Sequence, residues 1–131
     1  EIVFDFATLT GSASVAIGPQ GIVAMGNIAR SIFDKVVESG DNTYERIVEL
    51  PLWEEYNEMI KSDIADIKNA GGREAGAITA GKFLEHFTNY PWIHFDIAPT
   101  AYLDKNDAYR PKGGTGVGVR LMYDFLKNHK L

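Results

Sequence analysis

"WIHFDIA", residues 92–98, is the stretch on which the fold turns. Apolar, aromatic and β-branched residues dominate it without the period of a helix face. Such a run reads as a strand buried on both faces, the pattern of a central strand in a layered α/β sheet. Asp96 is out of place in it. A carboxylate in a buried strand costs several kcal/mol unless it is paired. Two readings follow: a catalytic or ligand-orienting group, or a structural carboxylate held by backbone N–H groups or by Arg73, Arg110 or Arg120. The structural reading is favoured.

Outward from this strand the chain alternates short apolar runs with helical periods. Ile2, Val3, Phe4 and Phe6 form a second buried run. "SVAIG" and "GIVAMG", split by Gly18, Pro19, Gln20 and Gly21, read as a hairpin-like or looped pair. Asn27 is the expected cap of a helix whose stripe is Ile28, Ile32, Phe33, Val36 and Val37, ended by Gly40. "RIVELP" is a short strand stopped by Pro51. A helix follows over residues 52–61, with Trp53, Tyr56, Met59 and Ile60 as its stripe. "DIADIKN" alternates as an edge strand does, and "AGGREAG" is a turn. A third helix runs from Glu74 with Ile78, Phe83, Leu84 and Phe87. A polar loop over residues 103–116 leads to a last helix over residues 117–128, with Leu121, Met122, Phe125 and Leu126 inward. This order predicts an α/β fold, layered α/β/α around a largely parallel mixed sheet.

The loop "PKGGTGVGVR", residues 111–120, raises the possibility of a phosphate cradle. Its spacing argues against one. Gly114, Gly116 and Gly118 fall at every second residue, not as G-x-G-x-x-G, and Lys112 precedes the glycines where a phosphate loop has Lys after them. A tight turn with close helix packing is the better reading.

Composition narrows the function further. The 131 residues suit one domain, and 45% hydrophobic residues allow a real core. The net charge of -5 weighs against a nucleic-acid partner. Lys127, His129 and Lys130 are a basic helix end, where positive charge is favoured. No cysteine is present, which removes disulfides, thiolate metal sites and a cysteine nucleophile. No apolar run reaches the roughly 18 residues of a membrane span, so no membrane partner is expected. The first residues already read as a strand, which predicts a portion of something longer.

No complete catalytic set emerges. His86, His94 and His129 lack metal-ligand spacing. The carboxylate pairs are Glu54-Glu55, Asp63-Asp66 and Asp104-Asp107; Asp63 and Asp66 flank an expected strand and could reach a common loop, but two solvated carboxylates at strand ends is the better reading, and a hard-cation site needs more oxygen ligands. Thr8, Thr10, Ser12 and Ser14 follow the first strand without the G-x-S-x-G elbow, so turn hydrogen bonding is their better use. Ligands of α/β sheets bind at the carboxyl ends of strands. Here those ends carry "ATLTGSAS" and "DIAPTA".

These two loops, with "DFATLTGSASVAIG", the span from "LPLWEEYNEMI" to "AGKFLEHF", "WIHFDIAPTAY" and "KGGTGVGVRLMYDFL", resemble the C-terminal part of the leucyl aminopeptidases. The resemblance covers nearly the whole chain in order. It implies that residues 1–131 are the C-terminal portion of a catalytic domain. The full-length parent would be a cytoplasmic homohexamer that removes N-terminal residues from peptide substrates with two divalent metal ions, zinc or manganese. The family's metal-holding lysine, aspartates and glutamate lie in upstream segments that do not occur here, nor does its bicarbonate-holding arginine. No metal is therefore expected in this chain alone. The resemblance instead assigns a substrate wall. Thr8 matches a residue lining the side-chain pocket, and Leu9 one offering backbone groups near the substrate. Gly11 matches a pocket glycine, and Ala70, Ala98 and Ala101 match further pocket positions. Several relatives carry a larger apolar residue at the position of Ala101, so this pocket has more room than strict leucine preference requires. The "KGxTG" loop serves structure in the family. The rival reading is a non-catalytic binding or assembly domain that lacks the metal half.

Overall fold

The computed structural model describes residues 1–129; Lys130 of the basic C-terminal trio lies outside them. The run over residues 92–98 supplies β4 (Trp92–Asp96), every residue of which is buried. It pairs in parallel with β1 (Val3–Ala7) and antiparallel with β2 (Ile22–Gly26), and β2 pairs in parallel with β3 (Ile47–Glu49). The order β1-β4-β2-β3 is a mixed sheet with two parallel junctions and one antiparallel junction.

Alternation along the strands divides the core into two layers. Ile93 and Phe95 of β4 share one face with Ile22 and Ala24. That face is covered by α2 (Arg30–Thr43) through Phe33 and Val36, and by α4 (Val119–Asn128) through Leu121 and Phe125. Phe6 stacks on Phe95 with ring centroids 4.3 Å apart, and Phe4 meets Phe125 at 5.5 Å. Burying each such ring contributes about 1.5–3 kcal/mol. On the opposite face Val23 and Met25 pack with Ala13 of α1 (Gly11–Ile17) and Ala77 of α3 (Gly76–His86). The result is the expected α/β/α layering.

Several local expectations give way to packing. "SVAIG" is helical, not a partner for "GIVAMG". Thr10 caps α1, its hydroxyl accepting the Ala13 N–H at 3.0 Å, and α1 is too short to show a period. Asn27 does not cap α2, which starts after Ala29. Its amide instead bridges to β4, donating to the Tyr90 carbonyl at 3.2 Å and accepting the Trp92 N–H at 2.7 Å. Gly40 does not end α2. A methyl group there would sit 2.9 Å from the Glu45 carbonyl, so this glycine serves close packing, and the left-handed Tyr44 closes the helix. Residues 54–60 form a 3-10 helix (Glu54–Ile60). "DIADIKN" finds no strand to pair with and runs as exposed bends. Leu126 and Phe87 face outward. Across the polar loop, β5 (Tyr102–Leu103) and β6 (Gly113–Gly114) form a small antiparallel ladder.

Candidate functional site

Because β1 and β4 are parallel, their carboxyl ends lie side by side, and the loops that follow them share one end of the sheet. Asp96 ties those loops together. One carboxylate oxygen accepts the N–H of Leu9 at 3.1 Å and of Ala98 at 3.2 Å. The other accepts the Thr10 N–H at 3.1 Å and the Thr10 hydroxyl at 2.7 Å. The carboxylate is fully buried, and these donors compensate its desolvation. The structural reading of Asp96 thus holds, in its backbone-acceptor form. Arg110 and Arg120 turn to other carboxylates, Asp107 and Glu45.

Five of the six residues matched to a substrate wall lie in the two segments that this latch joins. Thr8, Leu9 and Gly11 are exposed on the loop and first turn after β1. Ala98 and Ala101 are half-buried in the turn after β4, where Ala101 N–H donates to the Ile97 carbonyl at 2.9 Å. Ala70 is exposed in a different loop. That loop packs on α3, whose first residue in turn packs on α1. A methyl group on Gly71 would fall 2.6 Å from Cβ of Thr79 in α3, and one on Gly76 would overlap the Ser12 hydroxyl of α1.

The glycine-rich loop ends at α4, and the N-terminus of that helix is filled by the protein itself. Glu45, a buried residue just after α2, accepts the N–H groups of Gly118 at 3.0 Å and Leu121 at 2.9 Å, and Nε of Arg120 at 3.1 Å. The helix dipole favours a negative group at this position, and Glu45 occupies it. The Tyr109 hydroxyl and the Glu45 carboxylate hold the Arg120 guanidinium above its ordinary pKa. Gly118 has φ +92°, and a methyl group there would sit 2.8 Å from the Phe6 ring.

Sequence reasoning missed Glu45, because a single acid after a helix end carries no pattern. It also missed Asp5. This half-exposed carboxylate on β1 accepts from Trp92 Nε1 and meets Nδ1 of the buried His94 at 2.5 Å. Register alone, Asp5 opposite His94, could have suggested that pair. Among the described residues, the Thr10 hydroxyl of the β1 loop bonds to Asp96 and to the Ala13 N–H, not to a histidine. Asp63 and Asp66 are exposed. Among the described residues no group of three or more histidine or carboxylate side chains could hold a metal ion, and no helix is long and apolar enough to cross a membrane.

Comparison with known proteins converges on one family. The model of the cytosol aminopeptidase family, catalytic domain, matches residues 1–123. A probable cytosol aminopeptidase of Roseiflexus castenholzii is 52% identical over 128 residues, which are 96% of this chain and 26% of the relative. One from Geobacter sulfurreducens is 52% identical over 126 residues, 95% of this chain and 25% of the relative. Among solved structures, a variant of tomato leucine aminopeptidase superimposes with TM-score 0.86 at 32% identity, covering 98% of this chain and 25% of that one. The bottromycin maturation enzyme BotP superimposes with TM-score 0.89 at 32% identity, covering 96% of this chain and 28% of that one. The chain therefore spans about a quarter of the length of these relatives.

Proposed function

Since the chain belongs to the cytosol aminopeptidase family, catalytic domain, we propose that it is the C-terminal portion of the catalytic domain of a longer, metal-dependent aminopeptidase. In this reading it supplies the wall of the pocket that receives the N-terminal side chain of a peptide. The observation that carries the proposal is the Asp96 latch, which holds Leu9, Thr10 and Ala98 on one rigid platform at the carboxyl ends of β1 and β4.

The chemistry of the wall follows from what it exposes. Leu9 offers an apolar surface, and its N–H is committed to Asp96 while its carbonyl is not among the groups the latch uses. Gly11, Ala98 and Ala101 present little bulk, which leaves volume for a substrate side chain. A bound peptide would be oriented by shape and by backbone groups here, since the one carboxylate beside these residues, Asp96, is buried and occupied by the Leu9, Thr10 and Ala98 donors. Positioning of this kind contributes to rate by fixing the reacting groups in a productive geometry.

The residues present do not fit a two-metal centre, given the lack of a ligand group among the described residues. The zinc or manganese ions would then be held by the remainder of the longer protein. Cytoplasmic location and a homohexameric assembly belong to the same proposal, supported by the family membership.

The test compares the longer protein with the 131-residue chain. The longer protein should release N-terminal residues from leucyl substrates in a chelator-sensitive reaction, and the chain alone should not. Metal-dependent turnover by the pure chain would overturn the division of labour. Inactivity of both, with every metal supplied, would favour the rival reading of a binding or assembly domain.

A further inference from the structure

The loop between the 3-10 helix and α3, residues 61–75, is exposed over most of its length. Two anchors hold the stretch that carries Ala70. On one side the Lys68 N–H donates to the carbonyl of the buried Ile60 at 2.7 Å. On the other, Gly71 lies directly on α3. A methyl group there would fall 2.6 Å from Cβ, 2.7 Å from Cγ2 and 2.8 Å from Oγ1 of Thr79. Ala70 sits between these anchors, so its place is set by them.

Thr79 gives no ground. Rotating its side chain would not clear the space, because its Cβ is the nearest atom. The residue is buried, its N–H donates to the Ala75 carbonyl at 2.9 Å, and its hydroxyl donates to the Gly76 carbonyl at 3.2 Å. Gly71 is not needed for its backbone conformation. The left-handed position is its neighbour Gly72, with φ +107° and open space around it. Gly71 is a glycine for close approach. The same helix turn reaches the wall. A methyl group on Gly76 would sit 3.1 Å from Cβ of Ser12, and Ser12 follows Gly11 in the first turn of α1. Ala70 is thus linked to the β1 loop through Gly71, Thr79, Gly76 and Ser12, in contacts at close-packed distance.

We propose that Gly71 is a positioning residue for substrate choice: it seats Ala70 at a fixed distance from the Gly11 segment and so sets which N-terminal side chains the longer protein accepts. The inference rests on the substrate-wall reading and deepens it. Any side chain at residue 71 must lift the loop off α3, since Thr79 is held, and Ala70 moves with the loop. Discrimination between substrate side chains depends on such displacements, because a pocket reads size through contact.

The test compares kcat/KM for Ala-, Leu- and Phe-amides in the longer protein and its Gly71→Ala variant, beside a thermal melt. The Phe-to-Ala ratio should change by roughly fivefold or more, carried in part by KM. Adding Thr79→Gly removes the three atoms that the new methyl group would meet, and should return the ratio toward that of the parent. Merely structural damage lowers the amount of active enzyme, which scales kcat equally for all three substrates and leaves KM unchanged. That pattern, or a ratio not restored in the folded double variant, would overturn the proposal. Should Gly71→Ala fail to fold, Thr79→Ala decides. It withdraws Cγ2 and Oγ1 from beneath Gly71 and should shift the same ratio by about twofold or more; an unchanged ratio would overturn the proposal. Ala101→Met separates the two readings. A shifted ratio in that variant with none in Gly71→Ala would overturn the role of Gly71 alone, and no shift in either would overturn the substrate wall as well.

Discussion

Asp96 and Thr10 are joined twice, since one carboxylate oxygen accepts both the backbone N–H of Thr10 at 3.1 Å and its hydroxyl at 2.7 Å. That hydroxyl also accepts the Ala13 N–H and so begins α1. One side chain therefore sets the start of a helix and ties it to the central strand. The rigidity of the proposed substrate wall rests on this arrangement.

Asp96→Asn keeps the shape of the side chain but sets an NH2 group against N–H donors. It should cost about 3 kcal/mol of stability, the upper range for a charged hydrogen-bond acceptor lost from a buried site. Thr10→Val should cost about 1–2 kcal/mol through the lost cap. The double variant should lose less than the sum, because the two residues share one interaction. Urea unfolding of the set reads all of these values. A loss within about 0.5 kcal/mol for Asp96→Asn would show that the carboxylate is not a latch.

Glu45→Gln tests the filled helix N-terminus. The amide retains an oxygen acceptor but not the charge that faces the helix dipole, Gly118, Leu121 and Arg120. Stability should fall by about 1–3 kcal/mol. Hydrogen exchange at the Gly118 and Leu121 amides should speed up more than exchange within β4. Unchanged protection at both amides would contradict the role given to Glu45.

The glycine-rich loop yields a graded series. Gly118→Ala combines φ +92° with overlap against Phe6 and should destabilise by about 2–4 kcal/mol, strain and overpacking together. Gly116→Ala has φ +69° but open space, so only the strain of about 1–2 kcal/mol is expected. Gly114→Ala meets neither obstacle and should be near neutral. Thermal melts order the three. An equal loss at Gly114 would mean that the loop is needed for something other than its turn.

The parts of this fold that were legible in the sequence are those with a long pattern behind them. "WIHFDIA" announced a buried strand and an anomalous carboxylate, and β4 with its Asp96 latch is both. The stripe Ile32, Phe33, Val36 and Val37 marked the buried face of α2. Short elements misled. α1 buries only Ala13, so no periodicity distinguishes its seven residues from a strand. Asn27 has the chemistry of a cap but is used across the sheet on β4. Glu45 and Asp5 act through partners far away in sequence, and a contact between Glu45 and Gly118 leaves no local trace. The wall residues were legible only through family resemblance, since alanines and a glycine carry no chemistry of their own.

Ala101→Met in the longer protein addresses the central claim, that this end of the sheet lines the substrate pocket. The measurement is kcat/KM for Ala-, Leu- and Phe-amides in parent and variant, beside a thermal melt. If Ala101 faces the substrate side chain, methionine fills that space. The Phe-amide should then lose about 1–3 kcal/mol of transition-state binding relative to the Ala-amide, with the melt little changed. A loss equal for all three substrates, with a lowered melting temperature, would show that Ala101 packs in the core and would contradict the account of this wall.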